Sequence, residues 1–142
     1  MVIAAAMKKP VVSVTPDESV VAAAKRMRDA GVGFLPVCDP SNRLVGSITE
    51  RDITWRVVAE ELAGAMPVSE IMNRSVATCR ARDDLFEAQK IMRERHVRRV
   101  VCLDDIGLVV GVLTLSDVAR HEDGLRLAKT VREAMRARGT GT

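Results

Sequence analysis

Apolar positions along this chain alternate between two periods. Val20, Ala23, Ala24 and Met27 recur at i, i+3, i+4 and i+7, the stripe of an amphipathic helix. Thr15-Pro16-Asp17-Glu18 stands before it with the pattern of a capping box, Pro at a permitted first-turn position and Asp17 as an alternative cap. Gly31 ends the helix. The period then shortens. Residues 34–38 and 44–49 read as strands, and Asp39-Pro40-Ser41-Asn42 between them is turn chemistry. A short β-branched run, residues 11–14, precedes the helix, and a second helix starts near Glu50. The unit is β-α-β-β-α.

The same order returns at an offset of 65 residues without a gap. Met7 falls on Met72, Val11 on Val76, Ala23 on Ala88, Met27 on Met92 and Val32 on Val97. Gly46 falls on Gly111, Thr49 on Thr114 and Asp52 on Asp117. In the second copy residues 76–79 are the first strand, and Leu85, Ala88 and Met92 form the helix stripe. Residues 99–103 and 109–114 are the paired strands, and a helix starts near Leu115. Two copies are too few for a solenoid, so the expected architecture is an α/β (α+β) fold of two repeats packed as a pseudo-twofold pair. We place repeat 1 at 3–64, repeat 2 at 65–122, a basic C-terminal helix at 123–138 and a tail at 139–142. Gly64 and Pro67 mark the linker, and residues 69–72 read as a short helical lead-in to repeat 2.

Composition narrows the function classes. Hydrophobic residues are 47% and charged residues 29% of 142, the balance of a globular chain with a real core. Aromatics are only 2%, which argues against a stacking platform for single-stranded nucleic acid. No apolar run approaches the roughly 18–20 residues of a membrane span. Lys8 and Lys9 follow the apolar start instead of preceding it, unlike a secretory signal, so the expected location is cytoplasmic. Cys38, Cys79 and Cys102 have no CxxC spacing and read as small buried hydrophobes, with no metal site. No Ser-His-Asp set, metal cluster or P-loop is present, so we expect no enzyme. Gly31-x-Gly33 lacks the third Gly of a dinucleotide fingerprint and precedes a strand. The net charge of +3 lies entirely in residues 67–142, either as a solvated basic face or as an anion site. His96-Val97-Arg98-Arg99 is its densest run, and Lys8-Lys9 is either a solvated start or a phosphate contact.

The most specific feature closes each repeat. Copy one reads Gly46-Ser47-Ile48-Thr49-Glu50-Arg51-Asp52-Ile53, and copy two reads Gly111-Val112-Leu113-Thr114-Leu115-Ser116-Asp117-Val118. A strand ends in Thr and an Asp follows three residues on, inside the first turn of a helix. Thr with Asp there makes a capping box. The same groups offer a carboxylate for both hydroxyls of a ribose, and a hydroxyl with free N–H groups for phosphate.

With these endings and the stretch Gly31-Val32-Gly33-Phe34-Leu35-Pro36-Val37, the chain resembles tandem cystathionine β-synthase (CBS) domains, a Bateman module, over residues 3–121. The resemblance implies a regulatory module that binds an adenosyl compound (AMP, ADP, ATP, NAD or S-adenosylmethionine) in clefts drawing on both copies. No cofactor is required; the nucleotide is the regulatory ligand. One cleft would use the Val12 backbone, Val32, Gly33 and Phe34 with Thr114, Ser116 and Asp117. The other would use Ala77, Val97, Arg98 and Arg99 with Thr49, Arg51 and Asp52. The Asp would hold ribose, and Thr, Ser and Arg the phosphate. Copy two departs from the family pattern in having Val101 where copy one has Pro36, and Gly33 stands opposite Arg98. The resemblance also implies a homodimer through the helices after Thr49 and Thr114, and a regulated partner protein in another chain. The alternatives are a structural interaction module with empty clefts and, with less support, nucleic-acid binding through the basic half.

Overall fold

The computed structural model describes residues 1–121 and 124–136, in two compact units. One is Val12–Val76; the other joins Met1–Val11 to the chain from Ala77 onward.

In the first unit the apolar stripe forms α1 (Val20–Ala30) and buries Val20, Ala23 and Met27. Its cap is Ser19, not Thr15 or Asp17: the Ala22 N–H donates to Ser19 Oγ at 3.0 Å. The expected box is drawn off the helix by Arg26, which clamps both Glu18 carboxylate oxygens at 2.7 and 2.8 Å and also donates to the Ser13 carbonyl. Glu18 still accepts from the Thr15 N–H at 2.8 Å, but within a turn that precedes the helix. The Arg26 guanidinium lowers the Glu18 pKa from 4.5 to about 2. Gly31 ends α1 at φ 68°, and β1 (Phe34–Cys38) pairs antiparallel with β2 (Leu44–Thr49). The next helix, α2 (Glu50–Ile53), runs on into a wide π-helical turn, Thr54–Val58. Leu35, Val37, Ile48, Val57, Val68 and Met72 fill the core with the α1 stripe.

The expected strand at 11–14 shrinks to one parallel bridge, Val14 to Val37. The second unit shows why. There β3 (Thr78–Arg80) runs parallel to β4 (Arg99–Leu103), and the Val101 N–H donates to the Ala77 carbonyl at 2.9 Å. Pro36 occupies the position of Val101 and has no N–H to give, so the ladder in the first unit stops short.

Between β3 and β4, α3 (Leu85–Arg95) is capped by Asp84, whose carboxylate accepts from the Phe86 N–H at 2.9 Å. After β4 come β5 (Val109–Thr114), α4 (Leu115–His121) and α5 (Gly124–Ala134). The expected basic helix is thus found at 124–134. Its ends at 123 and 137–138, and the tail at 139–142, lie outside the described residues. No helix among the described residues is long and apolar enough to cross a membrane. The three cysteines are free and buried. The Cys79 thiol, 3.7 Å away, together with burial pushes the Cys102 thiol far up, so it stays protonated.

The units do not end at the 64/65 repeat boundary. Residues 68–73 turn back along β2 of the first repeat, where Ser47 and Asn73 exchange N–H···O bonds of 2.8 Å. Residues 3–8 do the same on β5 of the second, with Lys8 and Val112 bonded at 2.9 and 3.3 Å. Met72 then lies across Gly46, and Met7 across Gly111. A Cβ on Gly46 would stand 2.8 Å from Met72 Sδ and 2.9 Å from the Asn73 carbonyl. The Gly and Met identities of the repeat are two halves of one contact.

Gly46→Ala is therefore expected to cost about 1–3 kcal/mol by overpacking against backbone, read as a lower urea midpoint with an unchanged m-value. The Glu18 pair stabilises the fold above the unfolded carboxyl pKa and loses that contribution as pH falls from about 4.5 to about 2. For this partly exposed, salt-screened pair, Glu18→Gln should cost under about 1 kcal/mol at pH 7. Stability curves of the two proteins should converge near pH 2; a gap that persists there would remove the ion pair as its cause.

Candidate functional site

Both Thr–Asp endings fold as capping boxes. In the first unit the Asp52 N–H donates to Thr49 Oγ1 at 3.1 Å, and the Thr49 N–H donates to Asp52 Oδ2 at 2.9 Å. In the second unit the Thr114 N–H and hydroxyl both donate to Asp117 Oδ2 at 2.9 Å, and the Asp117 N–H returns to Thr114 Oγ1 at 3.1 Å. Asp52 is 2% exposed and Asp117 fully buried. A buried carboxylate needs its charge met. One oxygen of each is spent on the cap, and the other faces cations. Asp52 Oδ1 lies 3.9 Å from Arg56; Asp117 Oδ1 is paired with Arg120 and lies 3.8 Å from Lys8 Nζ. The Lys8 and Arg120 side chains are more than half exposed, and Arg56 is also held by the Ile71 carbonyl at 2.8 Å. Oδ1 is thus the atom that a ligand hydroxyl could share, with a cation beside it.

Each unit has a pocket next to its box. In the second unit Lys8, Arg98, Arg99, Thr114 and Ser116 surround a cavity of about 470 Å³, inside the usual range for small-molecule sites. Three cations and two hydroxyls converge there, and no acid lines it. The hairpin register explains the convergence: Arg99 pairs with Thr114 across the β4–β5 ladder, and the Arg98 carbonyl accepts the Leu115 N–H at 2.8 Å. In the first unit a cavity of about 450 Å³ lies between α1 and the start of α2, with Arg28, Val32, Gly33 and Glu50 on its walls. Position by position, Gly33 replaces Arg98 and Glu50 replaces Leu115. The first pocket carries one cation and one acid, the second three cations.

The residues named from the resemblance fall within the units as follows. Val32 and Gly33 line the first pocket, and Phe34 is buried at the start of β1. Val12 packs on the first core. Thr49 and Asp52 are buried in their box, with Arg51 stacked 5.1 Å from the Trp55 ring. Ala77 and Val97 belong to the second core, and Arg98, Arg99, Thr114 and Ser116 share the second pocket beside Asp117. The resemblance divides Arg98 and Arg99 from Thr114 and Ser116, whereas the structure sets all four around one cavity. Sequence reasoning missed Val131 of α5 and Met135, in the turn that follows it, on that cavity's wall. Their spacing with Leu127 was an available signal, masked by the basic residues around them.

The model of the CBS domain family matches this chain twice, over residues 3–59 and 68–124. The chain is 34% identical over 116 residues to hypoxic response protein 1 of Mycobacterium tuberculosis, covering 81% of this chain and 80% of that one. It is 30% identical over 133 residues to protein MK0525 of Methanopyrus kandleri, covering 91% of this chain but only 65% of that longer one. CBS domain protein PAE2072 of Pyrobaculum aerophilum, solved in complex with AMP, superposes with TM-score 0.78 at 27% identity, over 96% of this chain and 100% of that one. The CBS domain pair of protein MJ0100, solved with 5-methylthioadenosine and S-adenosyl-L-methionine, gives 0.76 at 27% identity, over 85% and 94%.

Because each Asp caps a helix, Asp52→Ala and Asp117→Ala should each lower stability by about 1–2 kcal/mol in urea unfolding without ligand. A loss near zero in both would show that the boxes carry no folding energy.

Proposed function

This chain belongs to the CBS domain family as a tandem pair, and from that premise we propose that it is a regulatory module whose ligand is an adenosyl nucleotide. The observation that carries the reading is the second pocket, where Lys8, Arg98 and Arg99 meet the Thr114 and Ser116 hydroxyls beside the buried Asp117 carboxylate. Cations and hydroxyls suit phosphate, and Asp117 Oδ1, which is not used by the cap and is now held by Arg120, suits a ribose hydroxyl once that cation gives way. Relatives of the same fold bound to AMP and to S-adenosyl-L-methionine support the adenosyl class. In the first unit the Pro36 substitution spares the Val12 carbonyl the bond that Val101 makes to Ala77, leaving an acceptor suited to an adenine amino group. A ligand that regulates must favour one of two states of its receptor, so the output is a changed packing or partner affinity.

A thermal-shift screen against adenosine, AMP, ADP, ATP, NAD and S-adenosylmethionine, with GTP as control, tests this. A ligand at 100 times its Kd adds about 2.7 kcal/mol, a rise of several degrees in Tm. A shift confined to adenosyl compounds is expected, and Arg98→Ala should reduce it more for ATP than for adenosine. No shift with any compound at millimolar concentration would favour the empty interaction module instead.

A further inference from the structure

All of the C-terminal helix after its first residue lies beyond the family-matched residues, yet it is built into the second unit. Thr130 is fully buried on α3: its hydroxyl donates to Gln89 Oε1 at 2.9 Å and accepts from Arg93 at 3.1 Å. His96 Nδ1 lies 2.9 Å from the Glu133 carbonyl, and Arg126 stacks 4.9 Å from the Phe86 ring. Leu127 and Ala134 join the core. The repeat shows what this seat displaces. In the first unit Ala24, Arg28 and Gly31 border an open groove; the positions that match them are Gln89, Arg93 and His96, where α5 sits. The second unit's cavity, at the start of α4 as the first is at the start of α2, therefore has α5 and not α3 as its other helical side.

The side that α5 presents there is apolar. Val131 is 39% and Met135 52% exposed, and both face the cavity that holds Lys8, Arg98, Arg99, Thr114 and Ser116. Leu115 and Ala119 extend the apolar surface. A cavity with cations at one side and an uncovered apolar wall at another matches a ligand that is anionic at one end and flat and apolar at the other. We propose that α5 completes this binding site: Val131 and Met135 pack against the nucleoside while Lys8, Arg98 and Arg99 take the phosphates of an adenosine di- or triphosphate. This rests on the nucleotide reading above and adds its ligand class and its output. Since α5 contacts the ligand only when seated on α3, ligand binding and α5 seating strengthen each other by the same factor. The first pocket, with Glu50 in place of Leu115 and, among the described residues, no counterpart of α5 on its wall, is not built for that ligand.

The test compares ATP with inorganic tripolyphosphate by calorimetry on the full chain. Val131→Ala/Met135→Ala should weaken ATP about tenfold and leave tripolyphosphate unchanged, while Arg98→Ala weakens both. Met135→Leu, which keeps the wall apolar, should retain wild-type affinity. Both positions are exposed, so the variants keep the fold, which circular dichroism checks. Saturating ATP should also slow amide exchange across residues 126–134 in the wild type. Full ATP affinity in the double variant, with α5 exchange indifferent to ATP, would overturn the α5 inference and leave the nucleotide reading standing. A wild-type chain that binds neither AMP nor ATP would overturn the nucleotide reading and, with it, this extension.

Discussion

Met72 lies across Gly46 and Met7 across Gly111, and each of these contacts closes a unit against chain from the other repeat. A hairpin with no side chain at one position leaves a slot, and a long unbranched thioether fills it. The backbone runs alongside: next to each methionine, Asn73 pairs with β2 and Lys8 with β5. Without these lead-ins β2 and β5 would be bare edges with unpaired N–H and C=O groups. The Thr–Asp boxes stand at the ends of those same two strands, so what fixes the strands also fixes the candidate sites.

The boxes show a single carboxylate divided between two tasks. Oδ2 is bound to backbone, which holds the side chain in one rotamer and starts the helix. Oδ1 carries what charge remains toward Arg56 in one unit and toward Arg120 and Lys8 in the other. A capping role and a ligand role do not compete here, because they use different atoms. The cap supplies the rigidity that a binding group needs. The two pockets nonetheless diverge through neighbours, not through the boxes: Gly33 against Arg98, and Glu50 against Leu115.

Much of this was readable from period and spacing. The hairpin strands lie at the residues where alternation begins and stops, and α1 and α3 carry their expected apolar stripes. Departures arose where a distant residue overrode a local preference. Glu18 has the position of a capping-box acid, but Arg26, two turns along α1, takes it. Residues 11–14 have strand composition, but their partner strand contains Pro36. Gln89 is a polar residue at the stripe position that Ala24 fills in the first copy, and it is fully buried because Thr130, 41 residues away, meets its side chain. The site was legible as residue types. Which of them share a cavity depended on the β4–β5 register and on where α5 comes to rest.

The exchange of lead-ins has a consequence for how a duplicated chain holds together. A half-length piece would carry one lead-in and one glycine slot, and two pieces could trade lead-ins only as a swapped dimer whose stability falls on dilution. Joining the halves through residues 63–69 turns the trade into an intramolecular event at an effective concentration of about millimolar. The linker thus makes mutual completion of the two repeats independent of how much protein is present.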